Sequence, residues 1–340
     1  MHRILNFCFI FFLSLLSLYL VAERFTNTNG IANEKSFSDF LKWSLSNESP
    51  ERIAIESSEA WKGLDLQSDN YILWIGHASF LINIGGTTIL TDPVFSKRAS
   101  PLRILGPKRL IPPALTLNDL PKIDLVTISH NHYDHLDVHS LKQIYKNNPA
   151  ANFLVPKGDK KILTKRGIEN VFEFLWWENF ALKNLVLTFT PVQHWSARGL
   201  GDRNKSLWGG WFFKSEELNL YHAGDTGYSN DFVVTKERLG APDYALIPIG
   251  AYAPEWFMSD NHVNPKDALQ IAIDLDAKKS IGMHWGTFML TDEEVTEPPK
   301  LLKAALTEES LPSEYFITLK PGDFVPVSYT HLTLPTIAIV

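Results

Sequence analysis

The segment SHNHYDHLD, residues 129–137, directly follows a continuous apolar run that is typical of a strand buried on both faces. His130 and His132 are two residues apart, so an extended chain projects both side chains to the same side. Asp134 and His135 follow where the chain should turn into the next helix. Four potential metal ligands this close together cannot easily face one ion. The fold must therefore present them at a strand end, where they favour two ions side by side.

Three further candidate ligands each come just after another apolar strand pattern. His194 follows LVLTFTPVQ, Asp225 follows LNLYHAG, and His284 follows SIGM. Strand-end loops are where open sandwiches and α/β sheets gather their functional groups. We therefore expect these side chains to join the first four. The histidines and Asp134 divide into His130, His132 and His194 for one metal ion and Asp134, His135 and His284 for the other.

The donor set restricts the metal and excludes several classes of protein. The only cysteine, Cys8, lies in the first apolar stretch. The rest of the chain therefore cannot form a disulfide scaffold, a cysteine zinc finger or a thiolate nucleophile. Imidazole and carboxylate ligands fit two Zn²⁺ ions best and leave Fe or Mn open. A net charge of −6 without a Lys/Arg block argues against nucleic acid as a partner.

The two ends of the chain differ from its middle in composition. Residues 1–22 carry a long apolar run, which predicts a signal peptide or, as we favour, an uncleaved membrane anchor. Either one makes the protein membrane-anchored or exported, facing the periplasm or another extracytoplasmic space. Residues 23–70 are polar and predict a linker, with a short packing helix at the amphipathic patch 37–45. We interpret 71–326 as one domain and 327–340 as a non-native tail, although a terminal strand would also fit the alternation in the tail.

Within the domain, the pattern predicts hairpins first and then strands that alternate with helices. The runs YILWIG, SFLINI and TTILTD are short and rich in β-branched or aromatic residues, and Gly85-Gly86 between the last two is a hairpin signal. Further along, Asn264 before Pro265 is a good helix start. This order indicates an α+β fold in which two mixed β-sheets pack face to face with helices outside.

HNHYDH matches the pattern H-x-H-x-D-H, and the chain resembles the metallo-β-lactamase superfamily. More narrowly, it resembles the N-acylphosphatidylethanolamine-hydrolysing phospholipase D-like group, over about residues 71–326. Besides SHNHYDHLD, the resemblance is carried by GHASFLI (76–82), ILTDPVFS (89–96), QHWSARGLGDRNKSLWGGW (193–211), HAGDTGYS (222–229), WFMSDNHVNP (256–265) and MHWGTF (283–288).

The resemblance implies an αββα sandwich that holds two zinc ions. It also implies that Asp225 bridges the two ions and that His262, in the context H-V-x-P, assists the reaction. The N-terminal membrane-binding region of the lipid enzymes is not recognisable before Tyr71. Two residues are candidates to support the metal ligands. Asp92 could hold a ligating imidazole or could simply form a turn before Pro93. His77 could lie near the pocket or could be a satisfied core histidine.

A paired-metal centre favours one kind of chemistry. Two divalent ions roughly 3.5–4 Å apart can share a hydroxide, because they lower the pKa of water from 15.7 toward about 7. Two such ions, two aspartates and a hydroxide leave a formal charge of about +1, which favours an anionic phosphodiester over a neutral ester. We therefore assign catalytic roles to Asp134 and Asp225 at the ions and to His262 near the leaving oxygen.

These considerations lead to one main hypothesis and two alternatives. The main hypothesis is a phosphodiesterase of phospholipase D type, whose metal-bridging hydroxide attacks N-acylphosphatidylethanolamine-like lipids or a small phosphodiester. The alternatives are a lactonase or other small-substrate metallo-hydrolase and a non-enzymatic, membrane-tethered metal-binding protein. Arg198 and Arg203 could bind a phosphate or remain solvated. Trp208, Trp211, Trp256 and Phe257 could line an acyl-chain channel, although aromatic strand residues are more often core.

Overall fold

The computed structural model describes residues 24–30, 35, 37–46, 50–102, 104–199, 201–216 and 218–327. The strands are β1 (Tyr71–Gly76), β2 (Ser79–Ile84), β3 (Thr87–Thr91), β4 (Leu125–Thr127), β5 (Asn152–Pro156), β6 (Val171–Phe174), β7 (Asn179–Leu182), β8 (Leu185–Thr190), β9 (Gly210–Lys214), β10 (Asn219–His222), β11 (Tyr244–Pro248), β12 (Lys279–Met283), β13 (Phe316–Thr318) and β14 (Phe324–Pro326). The helices are α1 (Phe37–Ser46), α2 (Val138–Asn147), α3 (Lys160–Thr164), α4 (Asp231–Leu239), α5 (Glu255–Met258), α6 (Pro265–Asp274) and α7 (Glu297–Glu308), with a 3-10 turn at Ala60–Gly63.

The strands form two seven-stranded mixed sheets with the same internal pattern. The first has the order β14-β1-β2-β3-β4-β5-β6 and the second has the order β13-β12-β11-β10-β9-β8-β7. In each sheet an antiparallel meander is followed by parallel strands: β3 to β6 are parallel in the first sheet and β10 to β13 in the second. The predicted pair of mixed sheets is confirmed.

Large aromatic side chains fill the space between the two sheets. Trp74 and Phe80 from the first sheet and Phe189 and Trp211 from the second are fully buried in one cluster. The indole N–H of Trp211 donates a 2.9 Å hydrogen bond to the carbonyl of Ile128, at the end of β4. The core thus ties the second sheet to the strand end from which SHNHYDHLD begins.

Helices cover the outer faces, which completes the αββα layering. Leu141 and Ile144 of α2 and Leu163 of α3 are buried against the first sheet, while Ile271 of α6 and Leu302 of α7 belong to the cluster of the second. As predicted, α6 begins at Pro265, and the side chain of Asn264 accepts hydrogen bonds from the backbone N–H groups of residues 266 and 267.

Several element boundaries differ from those the sequence predicts. The apolar run 123–129 forms ladder pairs only over β4, because the backbone N–H of Ser129 donates to the Asp92 carboxylate instead of a neighbouring strand. The apolar stretch LWGGWFF (207–213) forms a strand only from Gly210, since the backbone N–H groups of Leu207 and Gly209 donate to the carbonyls of Lys157 and Ser129. The short strands β6, β7, β13 and β14 and the helix α7 were not predicted.

The predicted signal or anchor, residues 1–22, lies outside the described residues, as does the tail beyond Val327. Val327 itself is buried, and its backbone N–H donates to the carbonyl of Asn70. In the part of the chain that the structure describes, none of the helices has the length and apolar character needed to cross a bilayer. The predicted packing helix is present as α1.

Candidate metal centre

The loop between β4 and α2 holds the four neighbouring candidate ligands. The chain turns at His132, whose carbonyl accepts hydrogen bonds from the backbone N–H groups of His135 and Leu136. Asp137 ends the loop as the N-cap of α2, and its carboxylate accepts from the N–H of residue 139. This loop packs tightly against the one that carries Asp225: an added Cβ at Gly224, which has a φ of +65°, would lie 2.5 Å from Cβ of Ser129.

Three histidines form the first of two ligand groups, which we call group one: His130, His132 and His194. The Nδ1 atom of His132 lies 2.8 Å from Nε2 of His130 and 3.3 Å from Nε2 of His194. With Zn–N bonds of 2.0–2.1 Å, tetrahedral geometry separates ligand nitrogens by roughly 3.3 Å. The three nitrogens therefore converge at a spacing that a single ion can accommodate.

The second group, group two, consists of Asp134, His135 and His284, with His77 beside them. The Oδ2 atom of Asp134 is 3.6 Å from Nε2 of His135 and 3.5 Å from Nε2 of His284. His77 Nε2 is 3.0 Å from the same oxygen. The structure thus brings residues from three distant parts of the chain to one point.

Asp225 lies between the two groups. Its Oδ2 atom is 3.0 Å from Nε2 of His135, 3.8 Å from Nε2 of His130 and 4.0 Å from Nε2 of His194. Its Oδ1 atom is 3.1 Å from Nε2 of His284. One carboxylate therefore faces both groups, which is the placement that a bridging ligand needs. Its metal bridging stays a prediction.

Unsatisfied buried atoms indicate that these residues suit a cation. The atoms Nε2 of His135, Nε2 of His284 and Oδ1 of Asp225 are buried and have no partner in hydrogen-bond geometry among the described residues. Native proteins rarely leave such groups unpaired, and an unpaired site calls for a specific explanation, such as an ion. A divalent ion in each group would satisfy these atoms, so the donor set fits the metal that the sequence predicts.

Hydrogen bonds at the remote ring nitrogens orient two of the imidazoles. His194 donates from Nδ1 to the carbonyl of Asn261 at 3.0 Å, and His135 donates from Nδ1 to Oδ2 of Asp92 at 2.7 Å. Each leaves Nε2 facing the centre, as metal-bound histidines require. Asp92 also accepts from the backbone N–H and hydroxyl of Ser129. Asp92 therefore contacts a candidate ligand as well as holding the chain after β3.

The two groups differ in electrostatics. Burial lowers the pKa of His130 and His194 well below its usual range and that of His132 to about 4, so group one is neutral at pH 7. Burial also opposes charge on His135 and His284, yet the Asp225 and Asp134 carboxylates raise the pKa of His284 to about 9 and that of His135 well above its usual range. Group two therefore holds protons that a metal ion would have to displace.

The structure places His77 next to candidate metal ligands, which is the first of the two roles considered for it. The strand end gives it a φ of +57°, in the left-handed region, and its carbonyl accepts from the backbone N–H of His284. Its ring centroid lies 3.9 Å from that of His284. Because Nε2–H donates to Asp134, His77 orients a candidate ligand; its buried Nδ1 has no hydrogen-bond partner in the described part of the chain. It is therefore not a satisfied core histidine.

Comparisons with known proteins agree with this arrangement. Residues 87–285 match the model of the Beta-lactamase superfamily domain. The chain belongs to the β-lactamase superfamily. The match includes every predicted metal ligand, Asp92 and His262, and it leaves His77 outside.

Individual superfamily relatives are similar over most of the chain. An N-acyl-phosphatidylethanolamine-hydrolyzing phospholipase D from Caenorhabditis elegans is 40% identical over 269 residues, which cover 76% of each chain. A mitochondrial protein with the same activity in its name, from Saccharomyces cerevisiae, is 42% identical over 241 residues, or 68% of this chain and 51% of that protein. These similarities identify the chain as a metallo-hydrolase of the β-lactamase superfamily.

Solved structures support the fold. A possible metal-dependent hydrolase from Veillonella parvula aligns with a TM-score of 0.62 at 19% identity, and covers 76% of this chain and 100% of that one. Igni18, a metallo hydrolase from Ignicoccus hospitalis, aligns with a TM-score of 0.57 at 23% identity, and covers 76% and 98%. At these identities the likeness concerns the fold, and it confirms the predicted metallo-β-lactamase sandwich.

Within this superfamily domain, His262 lies on the loop before α6 and faces both groups. Its Nδ1 atom is 4.0 Å from Oδ2 of Asp225, and its ring centroid is 5.2 Å from that of His194. Burial lowers the pKa of His262 to about 4, so the ring is neutral at pH 7. It can therefore orient a substrate or exchange a proton from the neutral form.

Replacing His262 with alanine is expected to lower kcat by roughly 100-fold, the low end of what a positioned proton-transfer group contributes. The metal content, measured by atomic emission on the purified variant, should stay at the wild-type value. His139, exposed on α2, offers the control variant H139A, which should leave both quantities unchanged. Loss of one metal equivalent in H262A would instead show that His262 is a ligand.

Arg198 does not present its guanidinium to a substrate phosphate. Nη1 donates to the carbonyls of Asn131 and Leu136 at 2.7 and 2.8 Å, and the guanidinium carbon lies 4.0 Å from the ring centroid of Tyr133. The Tyr133 hydroxyl in turn donates to the carbonyl of Arg198. Arg198 thus braces the ligand loop at both ends and in the middle. The guanidinium of Arg203 stacks over Trp195.

Replacing Arg198 with lysine is expected to destabilise the protein by about 1–3 kcal/mol, because a flexible ammonium cannot serve both carbonyls and stack on Tyr133. Chemical denaturation of the metal-free protein measures this loss. Arg166, exposed at the end of α3, provides the matched control R166K. Equal unfolding free energies for R198K and R166K would contradict the bracing role.

The aromatic candidates for an acyl-chain channel separate into two kinds. Trp208 and Trp211 are buried in the core, so they line no channel. Trp256 is 44% exposed, and Phe257 stacks on Trp43 of α1 at 5.3 Å between centroids. A small cleft opens instead beside His284. Its lining includes Ala251, Gly286, Phe288, Met289, Glu293 and Val295.

Sequence reasoning missed two residues that contact candidate ligands. The carbonyl of Asn261 accepts from His194, and the side chain of Asn27 accepts from the backbone N–H of His194. Asn261 could have been suspected from its position next to His262. No local signal marks Asn27, which lies in a polar stretch far from any motif.

Proposed function

We propose that the protein is a phosphodiesterase of phospholipase D type that acts on N-acylphosphatidylethanolamine-like lipids with two divalent metal ions, most simply zinc. The observation that carries this proposal is the convergence of groups one and two on Asp225, in a chain 40% identical to a relative named for this reaction. Similarity over 76% of both chains supports the transfer, and residues 87–285, which match the superfamily domain, include the whole ligand set.

Some residues of the centre would hold the ions, and others would act on the substrate. Divalent ions held here would make water a stronger nucleophile at neutral pH and offset the charge of a phosphodiester. Asp225 would be shared by the two ions, because its carboxylate lies 3.1 Å from Nε2 of His284 in group two and 3.8 Å from Nε2 of His130 in group one. Asp134 would complete group two, with His77 fixing its carboxylate by a hydrogen bond. These contacts preorganise the centre, so little rearrangement is needed during reaction.

His262 would act on the leaving group. Its ring centroid lies 5.2 Å from that of His194 and 5.5 Å from that of His284, and its side chain is 13% exposed, so it can reach a bound molecule. A neutral imidazole can donate a hydrogen bond to the departing oxygen, and it can relay a proton from water. In the proposed reaction the bond between phosphorus and the headgroup oxygen breaks and a water oxygen joins phosphorus. The products are phosphatidic acid and an N-acylethanolamine.

The decisive experiment uses the full chain loaded with zinc and a panel of substrates under identical metal loading. Vesicles containing N-acylphosphatidylethanolamine, a lactone and a β-lactam are compared, with products identified by mass spectrometry. We expect turnover of the phospholipid and, in ¹⁸O-labelled water, one heavy oxygen in phosphatidic acid. Lactone turnover without phospholipid turnover would overturn the proposal, and no turnover on any member would favour a non-enzymatic metal-binding role.

One observation favours the small-substrate alternative. The cleft beside His284 is small and opens next to a candidate ligand of group two. It also carries Glu293, whose carboxylate accepts hydrogen bonds from the backbone N–H groups of residues 251 and 253. A lactone or a similar compact substrate needs less room than a two-chain lipid. The lactone arm of the substrate panel tests this alternative directly.

We also propose that residues 1–22 anchor the domain to a membrane, with the domain on the extracytoplasmic side. Their long apolar run is the support for this proposal. Fractionation of cells that express the full chain, with accessibility to an external protease, tests it. Recovery of the intact chain in the soluble fraction would contradict the anchor.

A further inference from the structure

The first segment that the structure describes, residues 24–30, contacts residues around group one. Asn27 is 6% exposed, and its Oδ1 atom accepts two hydrogen bonds. One comes from the backbone N–H of His194 at 3.0 Å and the other from the indole N–H of Trp208 at 3.0 Å. A single carboxamide oxygen thus holds a candidate ligand against the core.

Neighbouring residues fix Asn27 in this position. The backbone N–H of Phe25 donates to the carbonyl of Asn204, and the Thr28 hydroxyl donates to Asp231. Asn29 donates from its side-chain amide to Gln193, the residue before His194. The contacts run from both sides of Asn27 to the loop after β8 and to the start of α4, so the segment is docked rather than a free linker.

The segment continues to the loop that carries His262. The ammonium of Lys35 lies 3.2 Å from the Asp260 carboxylate and donates to the carbonyl of Trp256. On α1, the indole N–H of Trp43 donates to Asp292, and its ring stacks on Phe257. We call the described residues 24–30, 35 and 37–46 the N-terminal strap. It contacts the loop of His194 and the segment that leads to His262.

We propose that the N-terminal strap is a working part of the metal centre, and that Asn27 is a positioning residue that holds His194 for metal binding in group one. This inference rests on the proposed metal binding. It extends the functional unit beyond the superfamily match, which begins at residue 87. Asn27 holds His194 by its backbone N–H, whereas the carbonyl of Asn261 orients the imidazole ring of the same residue.

The physical argument concerns two buried donors that share one acceptor. Without Oδ1 of Asn27, the N–H of His194 loses its partner in a region closed to water, and the loop would shift to find another. A shift of the backbone moves Nε2 of His194 away from the 3.3 Å spacing with Nδ1 of His132. Partners that orient ligands typically contribute 10- to 100-fold in metal affinity.

The test measures zinc affinity of the full chain by competition with a chromophoric chelator. N27L removes the acceptor at similar volume, and we expect it to weaken one of two zinc equivalents by roughly 10- to 100-fold and leave the other unchanged. N27D keeps an acceptor oxygen and should restore the affinity. N83L is the matched control: it replaces another buried asparagine, whose side chain donates to the carbonyl of Gln67, and it should bind zinc like the wild type. N27A replaces N27L if the latter does not fold.

Two results would overturn the inference: wild-type affinity at both equivalents in N27L or N27A, and equal weakening in N83L and N27L. The second would show that the strap acts only through general stability. Failure of the wild-type chain to bind two zinc ions would instead refute the proposed centre itself. The two failures are therefore distinguishable in the same titration.

Discussion

Replacing Asp225 with alanine is expected to abolish metal retention and turnover together. Its two carboxylate oxygens face His135 and His130 on one side and His284 on the other, so no other residue can take its place. Without it, the ions lose a shared ligand and the centre loses a negative charge. Because the proposed reaction depends on both ions, kcat/KM should fall by about 10⁴-fold or more, an amount typical for losing a metal-activated nucleophile.

Metal analysis and single-substrate kinetics on the purified variant measure both effects. Asp231 provides a matched control, because it is also a buried aspartate, yet it lies at the start of α4 and bonds to Ser229 and Thr28. D231N should retain two metal equivalents and most of the activity. A D225A protein that turns over substrate at the wild-type rate without bound metal would refute the proposed mechanism.

Acidification is expected to release metal from group two before group one. The pKa of metal-free His284 is raised to about 9, so this residue is protonated at pH 7, and an ion must displace that proton to bind. Affinity should then fall about tenfold per pH unit for each displaced proton, or at least 100-fold between pH 8 and 6. In group one, His132 has a pKa of about 4 and stays neutral over this pH range, so the affinity of group one for a metal ion should change little.

Calorimetric titration of zinc in buffers of different ionisation enthalpy counts the protons released for each ion. We expect at least one proton for the ion of group two and none for that of group one at pH 7. The raised pKa of His284 also predicts how the stability of the metal-free protein depends on pH. Protonation of His284 stabilises the folded state below about pH 6.5, and this contribution is lost as the pH rises through about 9. Equal proton release by both ions would contradict the difference between the groups.

The candidate ligands could be predicted because each carries a local signal. His194, Asp225 and His284 follow apolar strand patterns, and strands of one sheet deliver their ends to a common edge. The structure brings these residues and SHNHYDHLD into overlapping groups. The fold class followed from the same patterns. The binding of metal by these residues remains a prediction.

The supporting contacts could not be predicted, because they depend on tertiary packing. Arg198 looks like a phosphate ligand in sequence, but the carbonyls of Asn131 and Leu136 take up its donors. Asn27 is an ordinary polar residue until folding places it against His194. The strands β13 and β14 are too short to show a period of two, and their partners are far away in sequence.

The position of β14 has a consequence for synthesis of the chain. This strand follows β13 of the second sheet, yet it pairs with β1 at the edge of the first, and the backbone N–H of Gly322 donates to the carbonyl of Trp74. While the ribosome is still translating residues before 324, the edge of β1 has no partner and can pair with another nascent chain. The first sheet to emerge is therefore among the last parts to be completed, and chaperone protection of that edge would matter until translation passes Pro326.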